Sequence, residues 1–508
     1  MSKANADELP LRLGSDEEFA RVRSLFVEEG FDEESIGRIL KLEEMADLSS
    51  VDTDKADLAD VPERLAFLIR FFLFVQTMPL SDARRALSPE ELAALEALDL
   101  LRVADFDAER CYSPAFLYPV AGCLIASDRR NNPDGSPFQE SADIVFPAIN
   151  VGTLLFLRVM SKSPARDALD IGAGSGVAAL VLSRNAARVV ATDITPRATH
   201  FAEFNRRLND CPNVETVTGD MYEPVSGQTF ERIVTHPPYV PALGDKIVYR
   251  EGGATGEVLV RRAVEGLPEH LRAGGTFYCL CLGHDTREAA FEQRVRGWLG
   301  DAEREFDVIF ALGEAKTVKA FLAEIILKKG AKGVDIEPLE RALAEAGTTR
   351  LVYGALVIHR RAADSLGEPW TTRPELSKTT DGANFERALG WHRRASRPGF
   401  LEAMADARPR LSESLQVKIT HVVRDGELVV GDLMFESEYP FPVKTRVDYW
   451  ILPLVASFDG TRTVSELYES ARAAQAIPDT FELKDFVALV ATLVERGYLS
   501  VDETFIAG

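Results

Sequence analysis

The most informative stretch of this sequence is ALDIGAGSGVAALVLSRNA, residues 168–186. It begins as an apolar run ending in Asp170, passes through Gly172, Gly174 and Gly176, and continues as an apolar run of helical type. Glycines let a ligand approach the backbone closely, and a helix that begins beside them directs its first N–H groups toward that ligand. The stretch therefore predicts a strand, a ligand-binding loop and a helix in succession.

Two further predicted strands, each ending in an acidic residue, follow this loop. VVATDIT (189–195) places Asp193 about 20 residues after the first strand, where a carboxylate accepts hydrogen bonds from ribose hydroxyls. VETVTGDM (214–221) ends in Asp220, which is placed to read an adenine amine. Three successive strands that end in acidic residues indicate a ligand containing a nucleoside.

Strands and helices alternate over residues 146–362. This alternation predicts a parallel sheet with helices on both faces and an antiparallel strand at one edge. We therefore expect an α/β fold in this central region. The segments of strand character are RDALDIG (166–172), ARVVATDI (187–194), VETVTGDM (214–221), ERIVTHP (231–237), GGTFYCLCLG (274–283), EFDVIFAL (305–312) and RLVYGALVIHRR (350–361).

The length of 508 residues predicts about three domains. Residues 1–145 read as helices followed by a small hairpin, which favours a helical, winged-helix-like N-terminal domain. Residues 363–395 lose periodicity and gain polar residues, Pro and Gly, and so predict a linker. Residues 396–508 contain a hairpin with the turn sequence RDGE and two amphipathic helices, which favours a second winged-helix-like domain.

The stretch RIVTHPPYVPA (232–242) follows the fourth strand of the alternating region. A residue before proline is held in an extended conformation, and two successive prolines fix the backbone beyond it. The carboxyl edge of a doubly wound sheet is where such folds bind ligands, so His236, Pro237, Pro238 and Tyr239 are candidate catalytic residues. His236 is suited either to accept a hydrogen bond or to act as a general base, since its ordinary pKa lies near 6.5. Tyr239 is suited to present its ring to a planar substrate group.

The glycine loop, the acidic strand ends and the HPPY motif resemble a class I S-adenosylmethionine-dependent methyltransferase. More narrowly, they are similar to the HemK or PrmC group, which methylates a glutamine side chain in release factors, and to the small-domain RNA methyltransferases. The downstream segment YREGGATGEVLVRRAVEGLPEHLRAGG (249–275) fits this group. The family pattern has Asn or Asp where this chain has His236, so the resemblance leaves the acceptor open.

The resemblance implies a Rossmann-like, seven-stranded methyltransferase core that uses S-adenosylmethionine as cofactor and needs no metal ion. Methyl transfer in this family is direct and in line. The cofactor-binding residues that it implies are Asp170, Gly172, Gly174, Gly176, Asp193 and Asp220, and the catalytic residues are His236, Pro237, Pro238 and Tyr239.

The leading hypothesis is methyl transfer to a nitrogen or other heteroatom of a protein, peptide or small molecule. One alternative is N-methylation of an RNA or DNA base, with Tyr239 stacked on an extruded base. Another is a regulatory protein that binds S-adenosylmethionine without catalysis, in which His236 is the inactivating change. An active chain that loses its activity in the His236→Ala variant would exclude the regulatory alternative.

Composition and charge narrow these hypotheses. The net charge of −22 and the pI near 4.9 disfavour a nucleic-acid partner. The five cysteines form no CxxC pair and indicate reduced thiols, and the N-terminus lacks a signal-peptide pattern, so we expect a cytoplasmic protein without membrane spans. His284 follows a strand end and is a weaker candidate for the site, whereas His200 and Asn205 are expected to have surface or packing roles. Oligomeric state is left open by the sequence.

Overall fold

The N-terminal region is mainly helical in the computed structural model, which describes residues 9–239, 255–329, 336–363, 365–478 and 480–507. Local capping begins several of its helices, as at Ser15, whose hydroxyl accepts a hydrogen bond from the Glu18 N–H. Short strands follow the helices. The helices are α1 (Asp16–Glu28), α2 (Glu33–Leu40), α3 (Glu63–Leu68), α4 (Leu80–Ala86) and α5 (Pro89–Ala97), and the strands are β1 (Met78–Pro79), β2 (Arg102–Ala104), β3 (Asp107–Tyr112), β4 (Ala115–Val120) and β5 (Cys123–Asp128).

The central region alternates strands and helices. The strands are β6 (Ala165–Ile171), β7 (Ala186–Asp193), β8 (Val214–Thr218), β9 (Phe230–Thr235), β10 (Leu271–Thr286), β11 (Phe306–Thr317), β12 (Thr348–Arg360) and β13 (Thr371–Thr372). The helices are α6 (Val151–Val159), α7 (Val177–Leu182), α8 (Pro196–Leu208), α9 (Val258–Glu265), α10 (Leu267–His270), α11 (Phe291–Trp298), α12 (Val318–Lys329) and α13 (Glu337–Glu345).

These strands form one sheet with the order β13-β11-β12-β10-β9-β6-β7-β8. Within the described residues, β12 is the only strand of the sheet that runs opposite to the others. The α/β prediction is confirmed, and each of the seven predicted strands is present in the sheet. β13 adds an eighth strand at the edge, and the antiparallel strand β12 lies third from that edge rather than at it.

Both faces of the sheet are covered by helices. Alternate side chains of β7 enter different cores, since Val189 packs on one face with α7 and α8, and Val190 packs on the other with α9 and α11. Cys279 and Cys281 lie together in the second core, as expected for alternate residues of one strand. The sheet is therefore buried on both faces, which accounts for the apolar character of its strands.

The N-terminal region shares a core with one face of the sheet. This core extends from Leu11 to Leu389, and it includes an edge-to-face contact of Phe19 on α1 with Phe204 on α8, at 5.0 Å between ring centroids. The strands β1, β3 and β2 form a small sheet after the helices, and β4 and β5 form a hairpin. The winged-helix assignment and the boundary at residue 145 stay predictions, and contacts cross that boundary.

The segment predicted as a linker, residues 363–395, contains regular structure. It contributes β13 at the edge of the central sheet and the helix α14 (Gly382–Ala395). Asp381 caps this helix by accepting hydrogen bonds from the N–H groups of Ala383 and Asn384. Phe385 of α14 belongs to the central core and Trp391 belongs to the C-terminal core, so the helix connects the two.

The C-terminal region has a core of its own. Its hairpin turns at Asp425 and Gly426, both with positive φ, as the RDGE sequence predicts. No helix in the described part of the chain is long and apolar enough to span a membrane. After α14 come α15 (Phe400–Asp406), β14 (Arg410–Leu411), β15 (Gln416–Arg424), β16 (Glu427–Ser437), β17 (Val443–Arg446), α16 (Ile451–Val455), α17 (Val464–Ala473), α18 (Leu483–Glu495), β18 (Leu499–Ser500) and α19 (Glu503–Ala507).

Candidate active site

A cavity of about 600 Å³ opens at the carboxyl edge of the central sheet. Strand register brings the predicted residues to this edge, since Ile171 is level with both Thr192 and Thr235, and Asp193 is level with Thr218. Nine of the ten predicted site residues line the cavity. They are Asp170, Gly172, Gly174, Asp193, Asp220, His236, Pro237, Pro238 and Tyr239.

The glycine loop forms the floor of the cavity. Gly172 and Gly174 have φ values of 71° and 55°, a conformation that side chains with a Cβ rarely adopt. Among the described residues, a Cβ at either position would meet nothing within 4 Å, so these residues leave the space in front of the loop open. The loop therefore leaves room for a ligand to lie against its backbone, as the cofactor assignment requires.

Gly176 is the predicted residue that is absent from the cavity lining. It precedes α7 with φ 81°, and a Cβ there would lie 3.0 Å from the Cβ of Ala202 on α8. Here the glycine allows α7 and α8 to approach each other closely. Its contribution to the site is indirect, through helix packing.

Asp193 ties the glycine loop to the end of β7. Its carboxylate accepts hydrogen bonds from the Gly174 N–H at 3.0 Å, the Thr195 N–H at 2.9 Å and the Thr195 hydroxyl at 3.2 Å. A carboxylate has about four acceptor sites, so capacity is left for a ligand hydroxyl. This geometry suits the predicted binding of a ribose.

Asp170 is buried under the glycine loop and accepts a hydrogen bond from the Ala179 N–H at 3.1 Å. Burial, together with the nearby Asp193 carboxylate, raises the pKa of Asp170 to about 7. A positively charged ligand in the cavity would favour the ionised form. The cavity is thus suited to a cation such as a sulfonium.

Asp220 follows the end of β8 and lines the cavity. Its carboxylate accepts a hydrogen bond from the guanidinium of Arg262 at 2.9 Å, and both residues line the cavity. Arg262 on α9 was not expected at the site. The segment 249–275, which follows the HPPY motif in the sequence, includes this helix. Its first residues, 249–254, lie outside the described residues.

His236 lies between two aromatic rings. Its centroid is 5.2 Å from that of Phe156 on α6 and 5.7 Å from that of Tyr239. Its Nε2 is buried and has no hydrogen-bond partner among the described residues. Burial lowers the pKa of His236 to about 4, so the ring is neutral near pH 7. The ring therefore offers an unused hydrogen-bonding atom at the cavity.

Three polar atoms meet around Gly152 beside the HPPY motif. A Cβ on Gly152 would lie 3.4 Å from the Tyr239 hydroxyl, 3.3 Å from the Tyr353 hydroxyl and 3.2 Å from Asn150 Oδ1. Tyr353 on β12 is hydrogen-bonded to Tyr239, and burial raises the pKa values of both phenols. The ring of Tyr239 is therefore held by a partner that the sequence did not reveal.

Residues just before α6 form a wall of the cavity that the motifs did not predict. The wall consists of Asp143, Ile144, Val145, Phe146, Pro147 and Ala148. The Ala148 N–H donates to the hydroxyl of Tyr118 at 2.7 Å, and the Val145 N–H donates to Asp128 at 2.8 Å. The supporting residues belong to the hairpin β4–β5, so only the tertiary fold joins them to the site.

His284 does not line the cavity. It is fully buried, and the carboxylate of Glu257 accepts a hydrogen bond from its backbone N–H at 2.8 Å. Arg294 pairs with the same carboxylate. No group of three or more side chains in the described residues is arranged to hold a metal ion.

Comparisons with known proteins agree with this geometry. The family model described as methyltransferase small domain matches residues 145–300. The chain is 30% identical over 135 residues to a putative protein N5-glutamine methyltransferase of Methanocaldococcus jannaschii, a match that covers 25% of this chain and 68% of the relative.

Two bacterial relatives carry more specific names. A release factor glutamine methyltransferase of Geobacter sulfurreducens is 28% identical over 154 residues, which cover 28% of this chain and 54% of the relative. A ribosomal protein uL3 glutamine methyltransferase of Bradyrhizobium diazoefficiens is 28% identical over 203 residues, which cover 35% of this chain and 63% of the relative. The chain thus spans between half and two thirds of the length of these two relatives.

Proposed function

Because this chain belongs to the family of methyltransferases with a methyltransferase small domain, we propose that it methylates a side-chain nitrogen of a protein, with S-adenosylmethionine as the donor. The donor supplies an electrophilic methyl group on a positively charged sulfur. In this proposal Gly172 and Gly174 hold the donor against the loop, Asp193 accepts hydrogen bonds from its ribose, and Asp220 faces its adenine.

The observation that carries the proposal is the Nε2 of His236 in the wall of the cavity, which has no hydrogen-bond partner within the described part of the chain. A buried polar atom without a partner is costly, and a ligand that hydrogen-bonds to it removes that cost. An amide or amine nitrogen carries the N–H donors that this atom requires. His236 then takes the place of the Asn or Asp expected in the HPPY position and orients the acceptor nitrogen.

The low basicity of His236 favours orientation over proton abstraction before methyl transfer. With a pKa of about 4, the ring accepts a proton only from a strongly acidic group. An amide nitrogen that has just gained a methyl group is positively charged and therefore strongly acidic, so it can give its proton to this ring. The acceptor nitrogen therefore uses its own electron pair to form the N–C bond, while the bond between the methyl group and sulfur breaks and its electron pair stays on sulfur as a neutral thioether. The proton of the nitrogen leaves after transfer, to His236 Nε2 or to water.

The rest of the rate enhancement comes from positioning. Pro237 and Pro238 fix the backbone, and Tyr353 fixes the ring of Tyr239, so little conformational freedom is left to lose when the acceptor binds. The surrounding wall of residues 143–148 and Phe156 keeps water from the reacting atoms.

A glutamine side chain of a translation protein is the acceptor that the relatives' names favour, and we extend it to this chain as part of the proposal. The charge of −22 favours a protein over a nucleic acid. A cytoplasmic location, expected from the unpaired cysteines, belongs to the same proposal.

The test is incorporation of label from methyl-labelled S-adenosylmethionine into a cell extract, separated into protein, nucleic-acid and small-molecule fractions. We expect label in the protein fraction, recovered as N5-methylglutamine after enzymatic proteolysis to free amino acids and released as methylamine when the protein is instead hydrolysed in hot acid. The Asp193→Ala and His236→Ala variants are the controls, and both should leave that fraction unlabelled.

Each other outcome has a definite meaning. Label in the nucleic-acid fraction would mean that the acceptor is a nucleic-acid base and not a protein. Label in protein on an amino acid other than glutamine would keep the nitrogen or heteroatom acceptor but overturn the glutamine assignment. Equal labelling by the native chain and the His236→Ala variant would overturn the role of His236.

A further inference from the structure

Two asparagines at the C-terminal end of α8, Asn205 within the helix and Asn209 as its C-cap, bind the free edge of the N-terminal hairpin in the same way. Asn205 Oδ1 accepts a hydrogen bond from the Ala126 N–H at 2.7 Å, and its Nδ2 donates to the Ala126 carbonyl at 2.9 Å. Asn209, at the end of the same helix, makes the equivalent pair with the N–H and carbonyl of Leu124, at 2.8 and 2.7 Å. The two side chains thus satisfy the backbone groups that β5 does not pair with β4.

The spacing of the two helix positions matches that of the two strand positions. Four residues of an α-helix rise about 6 Å, and two residues of a strand rise about 6.6 Å. Asn205 and Asn209 therefore face Ala126 and Leu124 in register. The hairpin is attached to the methyltransferase core by a ladder of side-chain amides.

The two asparagines differ in their remaining N–H. In Asn205 it donates to the carbonyl of Ser175 at 2.8 Å, whereas in Asn209 it donates to the carbonyl of Asn205 at 2.8 Å. Ser175 belongs to the glycine loop and lines the cavity. One fully buried amide group therefore joins the N-terminal hairpin directly to the loop that holds the cofactor.

A second connection supports the opposite wall of the cavity. Asp128, at the end of β5, accepts hydrogen bonds from the Val145 N–H at 2.8 Å and from Arg197 Nε at 2.8 Å. Tyr118 of β4 accepts a hydrogen bond from the Ala148 N–H. The same hairpin therefore supports the glycine loop through Asn205 and the wall of residues 143–148 through Asp128 and Tyr118.

We propose that Asn205 is a positioning residue that couples the N-terminal hairpin to the cofactor loop, so that hairpin docking and cofactor binding strengthen each other. Coupling of this kind is reciprocal, because a ligand that orders the loop also favours the docked hairpin to the same extent. The N-terminal region then contributes to cofactor affinity without touching the cofactor. The inference rests on the cofactor-binding half of the proposed function and is independent of the acceptor.

The first measurement compares Asn205→Ala with Asn209→Ala as a matched control. Each variant loses two hydrogen bonds to β5, so we expect both to lower Tm to a similar extent. Only Asn205→Ala also leaves the Ser175 carbonyl without its donor, and we expect its Kd for S-adenosylhomocysteine, measured by calorimetry, to rise about tenfold. The Kd of Asn209→Ala should stay within about twofold of the native value.

The second measurement uses the native chain and therefore does not depend on the folding of a variant. Saturating S-adenosylhomocysteine should slow amide hydrogen exchange in β5 at Ala126 by at least about threefold, with a smaller change at the exposed strand β15. In Asn205→Ala the ligand should no longer slow exchange at Ala126, even when it saturates the site.

Three results would decide against the coupling. Equal increases in Kd for the two alanine variants would mean that Asn205 stabilises the fold without a specific effect on the cofactor loop. Unchanged exchange at Ala126 in the native chain would do so even if Asn205→Ala failed to fold. Absence of S-adenosylhomocysteine binding by the native chain would overturn the cofactor assignment itself, and so is distinguishable from the other two.

Discussion

The two ends of the cavity are held in different ways: the end proposed for the cofactor, at the glycine loop and Asp193, and the end proposed for the acceptor, at His236 and Tyr239. At the cofactor end, Asp193 accepts three hydrogen bonds and Asn205 uses its whole amide group within the protein. At the acceptor end, His236 is held by two prolines and by two aromatic rings tilted at 32° and 31° to its own, while its buried Nε2 has no partner among the described residues. At the cofactor end, the polar groups have hydrogen-bond partners within the protein. At the acceptor end, the backbone is rigid and one buried nitrogen has no partner in the described part of the chain.

This difference separates two kinds of function. A satisfied polar framework keeps its shape before the ligand arrives, so changes in it should appear mainly as weaker cofactor binding. An unsatisfied atom in a stiff setting gains its partner only when the acceptor arrives, so changes there should appear mainly in kcat. The comparison holds only if the variants at the two ends separate in this way.

The largest expected effect is at the cofactor end. In Asp193→Ala, the ribose loses its charged acceptor and the Gly174 N–H loses its partner. Hydrogen bonds to a charged group contribute about 1.5–3 kcal/mol each, so the Kd for S-adenosylhomocysteine should rise about 100- to 1,000-fold in calorimetry. Asp210→Ala, which removes an exposed carboxylate near Arg23, is the control and should bind normally. Normal binding by Asp193→Ala would show that this carboxylate does not contribute to cofactor affinity.

The next effect is at the acceptor end. His236→Ala should lower kcat about 100-fold through misplacement of the acceptor nitrogen, while the Kd for S-adenosylhomocysteine stays within about twofold. His236→Asn restores a hydrogen-bond acceptor and should recover part of the rate. The readout is single-turnover transfer to the labelled protein acceptor. A rise in cofactor Kd without loss of kcat would place His236 at the wrong end of the cavity.

The sequence predicted residues at both ends of the cavity because their signals are local. Glycines followed by a helix, and acidic residues at strand ends, are read along the chain, and the parallel register brings them together. The seven strands were predicted for the same reason, since each is an apolar run between turn signals. Gly176 shows the limit of such reading, because its neighbour Ala202 is 26 positions further along the chain.

What the sequence missed depends on contacts between distant segments. Tyr353 enters the site from the antiparallel strand β12, so no strand-end pattern marks it, and Asn205 looks like any polar residue of an amphipathic helix. Helix α14 was missed because polar residues, Pro and Gly around it hide a face that packs on two cores. Asp381 and Asn384, which form its capping box, were the local signal that could have revealed it.

A smaller effect is expected at Tyr353, which touches the acceptor end only through Tyr239. Tyr353→Phe removes one hydrogen bond and keeps the ring, so kcat should fall about three- to tenfold with cofactor Kd unchanged. Phe156→Leu, which removes a ring beside His236 without removing a hydrogen bond, separates loss of packing from loss of the bond. A Tyr353→Phe variant with native kcat would show that the proline backbone alone is enough to hold Tyr239.

The smallest expected effect concerns the charge of Asp170. Its folded-state pKa of about 7 lies above the unfolded value of about 3.9, so the stabilisation from the neutral carboxyl is complete below pH 4 and is lost as pH rises toward 7. Asp170→Asn keeps an oxygen for the Ala179 N–H but cannot ionise. The Tm of Asp170→Asn minus the Tm of the native chain should therefore increase by a few degrees from pH 5 to pH 8, measured by calorimetry without cofactor. A difference in Tm that is the same at both pH values would mean that the charge of Asp170 does not change between pH 5 and pH 8, and would contradict a pKa of about 7 for this carboxyl.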